Sequence, residues 1–230
     1  MSNFTVVIPT LNENGTIAQL CLELLERYPG VRIIVADDGS NDGTQETVRA
    51  LSKKHHEIML LDRSRARTHG LTASVLNAAQ KAKTEYIVVM DGDLQHPPEA
   101  VGKIVHGLEQ GYDLVVGYRT AVADWGVYRK AMSKTAELLG RIVLWARGAP
   151  SCKDIMSGFF GVKRKLLVGA YEKTPNAFEL HGYKVLLDLL KVMPRNARIA
   201  DVGYEFGMRR TGKSKIGVNQ VVLYLRSLLR

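Results

Sequence analysis

"YIVVMDGDLQHPPE", Tyr86 to Glu99, runs an apolar stretch straight into two carboxylates, an amide and a histidine. The apolar part is too short for a helix and rich in β-branched residues, so it reads as a buried strand. Similar runs stand at "FTVVIP" (4–9), "RIIVA" (32–36), "IMLL" (58–61) and "DLVVG" (113–117). Between the first two, Ile17, Leu20, Cys21, Leu24, Leu25 and Tyr28 recur at helical spacing. Similar helices fit near 44–54, 71–82 and 98–109. Repeated βα units imply an α/β fold with a mainly parallel central sheet flanked by helices on both faces. Ligands of such sheets bind beyond the carboxyl ends of the strands.

Past residue 118 the pattern is less regular. A long helix is expected from about Tyr128 to Arg147, then a strand "GFFGV" (158–162), a helix around Tyr183–Val192, a last strand and a last helix. No internal repeat, low-complexity tract or linker divides the 230 residues, which read as a single domain, 1–230. The "MSNFTVVIPT" start has no charged and apolar leader, and no run approaches bilayer length. Cys21 and Cys152 are too few and too far apart for a disulfide framework or a zinc site, so free thiols in a cytosolic protein are expected.

Charge divides the chain. Residues 1–118 hold 11 basic and 15 acidic side chains, a net of −4; residues 119–230 hold 21 and 8, a net of +13. Asymmetry on that scale suggests an anionic partner: nucleic acid, a membrane surface or a phosphorylated substrate. Nucleic acid is the weaker reading. Basic grooves that bind it usually interleave aromatics, whereas this chain has five Phe, nine Tyr and two Trp and no RNA-binding motif.

The strand ends carry the chemistry. "PTLNEN" (9–14) is not the G-x-G-x-x-G of a dinucleotide fold. "ADDGSNDG" (36–43) contains ordinary turn formers, and an EF-hand starting at Asp38 fails because its twelfth position is Arg49. Yet Asp37 and Asp38 fall where a strand ends. After the fourth strand, Asp91, Asp93 and Gln95 stand at i, i+2 and i+4, which in extended chain puts them on one side. Such hard oxygen donors suit Mg²⁺ or Mn²⁺ carrying a diphosphate. Gly92 is expected to let a ligand approach the backbone. His96 reads as a neighbour of this loop, with no reason to make it a ligand.

In order, "VVIPTLNE", "VADDGSNDGT", "VMDGDLQHPPE", "DWGVYRKAMSK", "DIMSGFF" and "RRTGKSK" resemble the polyprenyl-phosphate glycosyltransferases of family 2, most closely the dolichol-phosphate mannose synthases. The resemblance spans essentially the whole chain. It implies a GT-A fold, a divalent metal (Mg²⁺ or Mn²⁺), and inverting transfer of a sugar from a nucleotide sugar to dolichyl or polyprenyl phosphate. The expected donor is GDP-mannose, with UDP-glucose the alternative. By the same resemblance, Pro9, Glu13 and Asp38 hold the nucleoside and Ala36 lines its pocket. Asp91, Gly92, Asp93 and Gln95 take the metal and the donor diphosphate. Arg209 and Lys215 clamp the donor, with Lys184 assisting. Arg119, Arg129 and Ser133 face the acceptor phosphate, and Asp93 and Arg119 are the catalytic pair. Leu11 stands where the family usually has Tyr, so an aromatic neighbour of the base is lost. Asp154 is expected to orient an arginine rather than act as a base. On this reading 1–118 is the nucleotide-binding half and 119–230 the basic, acceptor- and membrane-facing half.

"GMRRTGKS" (207–214) matches the P-loop pattern letter for letter. A P-loop needs further strands after it, however, and 16 residues remain, so the match is read as accidental and the stretch as a side-chain phosphate clamp. A polyprenyl chain stays in the bilayer, so the protein must reach the surface without a spanning helix. Trp125, Trp145, the apolar stretch of "GRIVLWARG" (140–148) between Arg141 and Arg147, and the last helix are expected to form an interfacial surface. That makes the protein peripheral at the cytoplasmic membrane face; the family's chains often continue into membrane helices, so either a small membrane subunit replaces them as a partner or the chain is a truncated form.

Overall fold

All seven apolar runs pair into one sheet in the computed structural model, which describes residues 3–122, 127–207 and 218–230, without the side chains of 121, 122, 127–133 and 218. The strands are β1 (Phe4–Thr10), β2 (Arg32–Asp37), β3 (Ile58–Asp62), β4 (Tyr86–Val89), β5 (Leu114–Val122), β6 (Phe160–Lys163) and β7 (Ile199–Phe206). The helices are α1 (Ile17–Arg27), α2 (Thr44–Lys54), α3 (Leu71–Lys81), α4 (Ala100–Glu109), α5 (Val127–Ala146), α6 (Arg164–Lys173), α7 (Val185–Leu190) and α8 (Val218–Leu229). Only α6 was not expected. Leu166, Leu167, Ala170 and Tyr171 carry a helical spacing there, but the element is short and Gly169 interrupts it.

The strand order is β3-β2-β1-β4-β6-β5-β7. β1 pairs in parallel with β2 and β4, β2 with β3, and β5 with β7. β6 runs antiparallel between β4 and β5. β1 is buried throughout, and its side chains alternate between two cores as the pleat requires. Val6 and Ile8 pack with Leu20 and Leu24 of α1 and Ile104 of α4. Val7 packs with Leu76 of α3 and Leu187 of α7 on the other face. Each such fully buried side chain contributes roughly 1.5–3 kcal/mol.

This order fixes where a ligand can sit. From β1 the chain steps outward to β2 and β3, then returns to β4 on β1's other side. In open α/β sheets a reversal of that kind marks where ligands bind, beyond the carboxyl ends of the strands. Because β6 runs the opposite way, the residues leading into it, Asp154 to Phe159, reach the same edge. The Gly117 N–H, in β5, donates to the Phe159 carbonyl. The 118/119 border lies inside β5, so both halves share the sheet.

α8 is fastened by buried charge. Lys191 Nζ lies 2.8 Å from Asp188 Oδ1 with both side chains enclosed, and Ser227 Oγ of α8 donates to the same oxygen at 2.6 Å. Lys191 also donates to the Ser227 and Ala177 carbonyls. On the outside, Leu138, Leu139, Ile142 and Trp145 of α5 and Val221, Val222, Leu225 and Leu229 of α8 are exposed. Among the described residues, no helix is long and apolar enough to cross a membrane.

Candidate active site at the strand ends

The loops after β1 and β2 are bound to each other. Asn12 N–H donates to Ser40 Oγ (2.8 Å), Asn41 N–H to Asn12 Oδ1 (2.9 Å) and Glu13 N–H to Thr44 Oγ1 (2.9 Å). Asn14 donates through N–H and Nδ2–H to Asp42, both at 3.0 Å. Asn12 takes φ 57°, a left-handed conformation that asparagine tolerates better than most residues. These bonds fix Leu11, which is exposed, and Glu13 at the carboxyl end of β1.

The two aspartates of "ADDGS" have separate jobs. Asp37 is fully buried and accepts from Gly39 N–H (3.1 Å), Ser40 N–H (2.9 Å), Gln45 Nε2 (2.7 Å) and Thr10 Oγ1 (3.1 Å). It ties the turn together. Asp38 is held by the Arg63 guanidinium, by Gly70 N–H at 2.7 Å and by His69 at 3.1 Å. Pro9 is buried in β1. Ala36 is fully enclosed, so it belongs to the core beneath the loops and does not line a pocket.

After β4 the chain turns rather than running extended, so alternation along a strand is not what groups the acidic loop. Leu94 takes φ 60°, and Gln95 N–H donates to Asp93 Oδ1 at 3.1 Å. Asp91 N–H donates to His96 Nδ1 at 3.0 Å. Asp93 is buried, while the Asp91 side chain is 38% exposed. Gly92 answers to packing. A Cβ there would stand 3.3 Å from Thr10 Cγ2 and 3.5 Å from Glu13 Cγ, so the space is filled by the β1 loop and not kept for a ligand. Gln95 pairs with Gly207, accepting its N–H at 3.0 Å and donating Nε2–H to its carbonyl at 3.1 Å.

Cations of the second half meet this loop. Arg119, on β5, donates through Nε (3.1 Å) and Nη2 (3.0 Å) to Asp154 Oδ2, so Asp154 orients an arginine as expected. Lys184 is inserted beside them with Nζ donating to the Met156 carbonyl at 2.7 Å. Burial pulls its ammonium down to about 8, against the attraction of Asp154 and Asp91. His96 is pushed down to about 4 by burial, so at neutral pH it is an uncharged acceptor. Arg129 and Ser133 fall on α5 with side chains outside the described residues, and Arg209, Lys215 and Trp125 lie outside them altogether.

Among the described residues no group of three or more His, Cys, Asp and Glu side chains is placed to hold a metal. Two carboxylates and an amide nonetheless fit the hard cation expected, because Mg²⁺ takes one or two carboxylates and completes its shell with substrate phosphates and water. Arg63 and the histidine role were missed from the sequence. Arg63 directly follows β3, the same strand-end position that drew attention to the acidic residues, and His96 adjoins Gln95.

The glycosyl transferase family 2 model matches residues 5–168. The chain is similar to the dolichol-phosphate mannosyltransferase of Saccharomyces cerevisiae, 34% identical with 98% of this chain and 85% of that protein covered. It is similar to that of Pyrococcus furiosus, 33% identical, again over 98% of this chain but only 62% of that relative's length. Of solved structures, glucosyl-3-phosphoglycerate synthase from Mycobacterium tuberculosis in complex with Mn²⁺, UDP and glucosyl-3-phosphoglycerate matches at TM-score 0.67 and 21% identity, covering 98% of this chain and 77% of that one. The same enzyme with Mg²⁺ and UDP matches at TM-score 0.61 and 20% identity, covering 91% and 72%. These likenesses show a GT-A fold.

Proposed function

The chain belongs to glycosyl transferase family 2, and from that premise we propose that it moves mannose from GDP-mannose onto dolichyl or another polyprenyl phosphate, with inversion at the sugar carbon. One observation carries the reading: the acidic loop Asp91–Gln95 and the cations Arg119 and Lys184 converge at a single sheet edge, the first from the acidic half and the others from the basic half. The names of the relatives support the sugar and the acceptor. The Mn²⁺ and Mg²⁺ of the neighbouring structures support a divalent metal.

Residues 1–118 form the donor half, in which Pro9, Leu11, Glu13 and Asp38 surround the nucleoside. Asp91, Asp93 and Gln95 would hold Mg²⁺ or Mn²⁺, which when bound neutralises the donor diphosphate as the sugar leaves. Residues 119–230 form the acceptor half, with Arg119, Arg129 and Ser133 on the acceptor phosphate and Lys184, Arg209 and Lys215 on the donor. An acceptor hydroxyl normally needs a general base; a phosphate oxygen is already an anion and needs none. Its difficulty is approaching a second anion, and the cations at the join of the two halves offset that repulsion. Asp154 holds the Arg119 fork, so the donors need not reorganise during reaction.

The exposed apolar faces of α5 and α8 meet the acceptor's lipid surface, with the exposed Arg147 and Arg226 beside them for anionic headgroups. This makes the protein peripheral at the cytoplasmic membrane face, alone or with a small membrane subunit. Liposome flotation checks that part, and a protein that stays at the bottom of the gradient overturns it. The activity itself is tested by a panel of GDP- and UDP-sugars with polyprenyl phosphate and Mn²⁺ or Mg²⁺. Transfer of mannose from GDP-mannose, abolished by EDTA, is expected. No transfer from any donor, or full transfer in EDTA, refutes the proposal.

A further inference from the structure

We propose that His96 is the positioning residue of the acidic loop, closing residues 91–96 into a ring that presents Asp91 and Asp93 to a divalent cation. The inference rests on the metal reading of that loop and adds a residue to it. The Asp91 N–H donates to His96 Nδ1 at 3.0 Å, across five residues. The loop turns back through Leu94, whose φ of 60° is costly for a branched apolar side chain. Within the ring, Gln95 N–H is tied to Asp93 Oδ1. Strain of that kind persists only where the surroundings over-determine the conformation.

The surroundings do so through the imidazole. His96 is 3% exposed. Its ring stacks on Phe159 at 5.1 Å and 15°, and meets Tyr204 and Phe206 at 5.7 Å each. Phe159 leads into β6, while Tyr204 and Phe206 belong to β7. The acidic loop of the first half is thereby fixed by an aromatic box supplied by the second. Because Nδ1 accepts, the proton sits on Nε2, and the contact to Asp91 is one that only an acceptor at the Nδ1 position can make.

That requirement separates positioning from mere filling. In His96→Asn the amide oxygen stands where Nδ1 stood. In His96→Gln it lies one bond further out, and in His96→Phe the stack is kept while the acceptor is lost. Mn²⁺ binding, followed by EPR in the presence of GDP or UDP, and thermal melting would be measured on all four proteins. His96→Phe and His96→Gln should bind Mn²⁺ about 10–100-fold more weakly, as losses of ligand-orienting partners usually do, and His96→Asn, which keeps the acceptor but not the stack, should bind more tightly than either. If His96→Phe does not fold, the Asn and Gln variants decide between themselves. Equal Mn²⁺ affinity across the folded variants overturns the inference, as does an Asn variant as weak as the Gln one. A wild-type protein that binds no Mn²⁺ with either nucleotide is a different result, and it overturns the metal reading along with this one.

Discussion

Gly70 offers a perturbation whose size can be worked from geometry. It opens α3 at φ +147°, and an added Cβ would lie 2.3 Å from the Leu180 carbonyl oxygen and 2.6 Å from His181 Cα. Both are backbone atoms, so no rotamer change relieves the overlap. Gly70→Ala then incurs about 1–3 kcal/mol for the disfavoured φ and about 1–3 kcal/mol for the displaced backbone. Their sum, about 4 kcal/mol, is a large share of a net stability of about 5–15 kcal/mol. In urea melts the midpoint should fall with m unchanged, and Tm should drop by about 8–16 °C for a chain of this size. Donor binding should weaken too, because the Gly70 N–H holds Asp38. Gly169 is the control. It lies within α6 with nothing within 4 Å of its missing Cβ, so Gly169→Ala should stabilise by about 0.5–1 kcal/mol. A Gly70→Ala protein within 1 kcal/mol of wild type would show that the close approach of residues 180–181 is wrong.

Asp91→Asn or Asp93→Asn should reduce transfer by roughly 10²–10³ or more with little change in Tm, read from initial rates beside melting curves. Arg209→Ala and Lys215→Ala should each cost roughly 10²–10³ in rate and Lys213→Ala little; a dead Lys213→Ala beside a healthy Lys215→Ala would restore the P-loop reading of 207–214. Leu11→Tyr should tighten nucleotide binding by roughly 2–12-fold, the worth of one aromatic contact, measured by calorimetry. Burial pushes the thiols of Cys21 and Cys152 up to about 12, so at pH 8 both are protonated. Neither should react with a thiol reagent until the protein is unfolded.

What was legible in the sequence is what burial and periodicity write locally. The strands carried apolar runs of the right length, and α1 to α5 carried helical spacing, so the sheet could be placed before its order was known. The antiparallel direction of β6 was not legible, because its run looks the same read either way. Pairing is a property of distant segments, and the contacts of Asp154 depend on that direction. Asp37 and Asp38 are equivalent as letters, yet one is sealed in a turn and the other meets Arg63, just past the end of β3 and 25 residues on. Gly92 misled for a related reason: a missing side chain marks a close approach without saying to what. Asp91, Asp93 and Gln95 share a loop for a reason other than strand alternation, since Leu94 in a left-handed conformation breaks the extended chain.

The fastening of α8 has a consequence for how the protein behaves in a tube. A helix held by grease alone can roll to hide its apolar side when no partner is present. Each residue of register is a turn of about 100°, and such a roll would take Ser227 away from Asp188 and Lys191, leaving buried charges short of partners. The Lys191–Asp188 pair itself would survive, but its two hydrogen bonds to Ser227 would be lost, at about 1.5–3 kcal/mol each for bonds to charged groups, which offsets what a roll would recover by covering one or two side chains. The outward face of α8 is therefore locked outward, and with α5 it stays uncovered in plain buffer. Purified without detergent or lipid, the protein should self-associate reversibly through this face, with mild detergent restoring the monomer while leaving the fold unchanged.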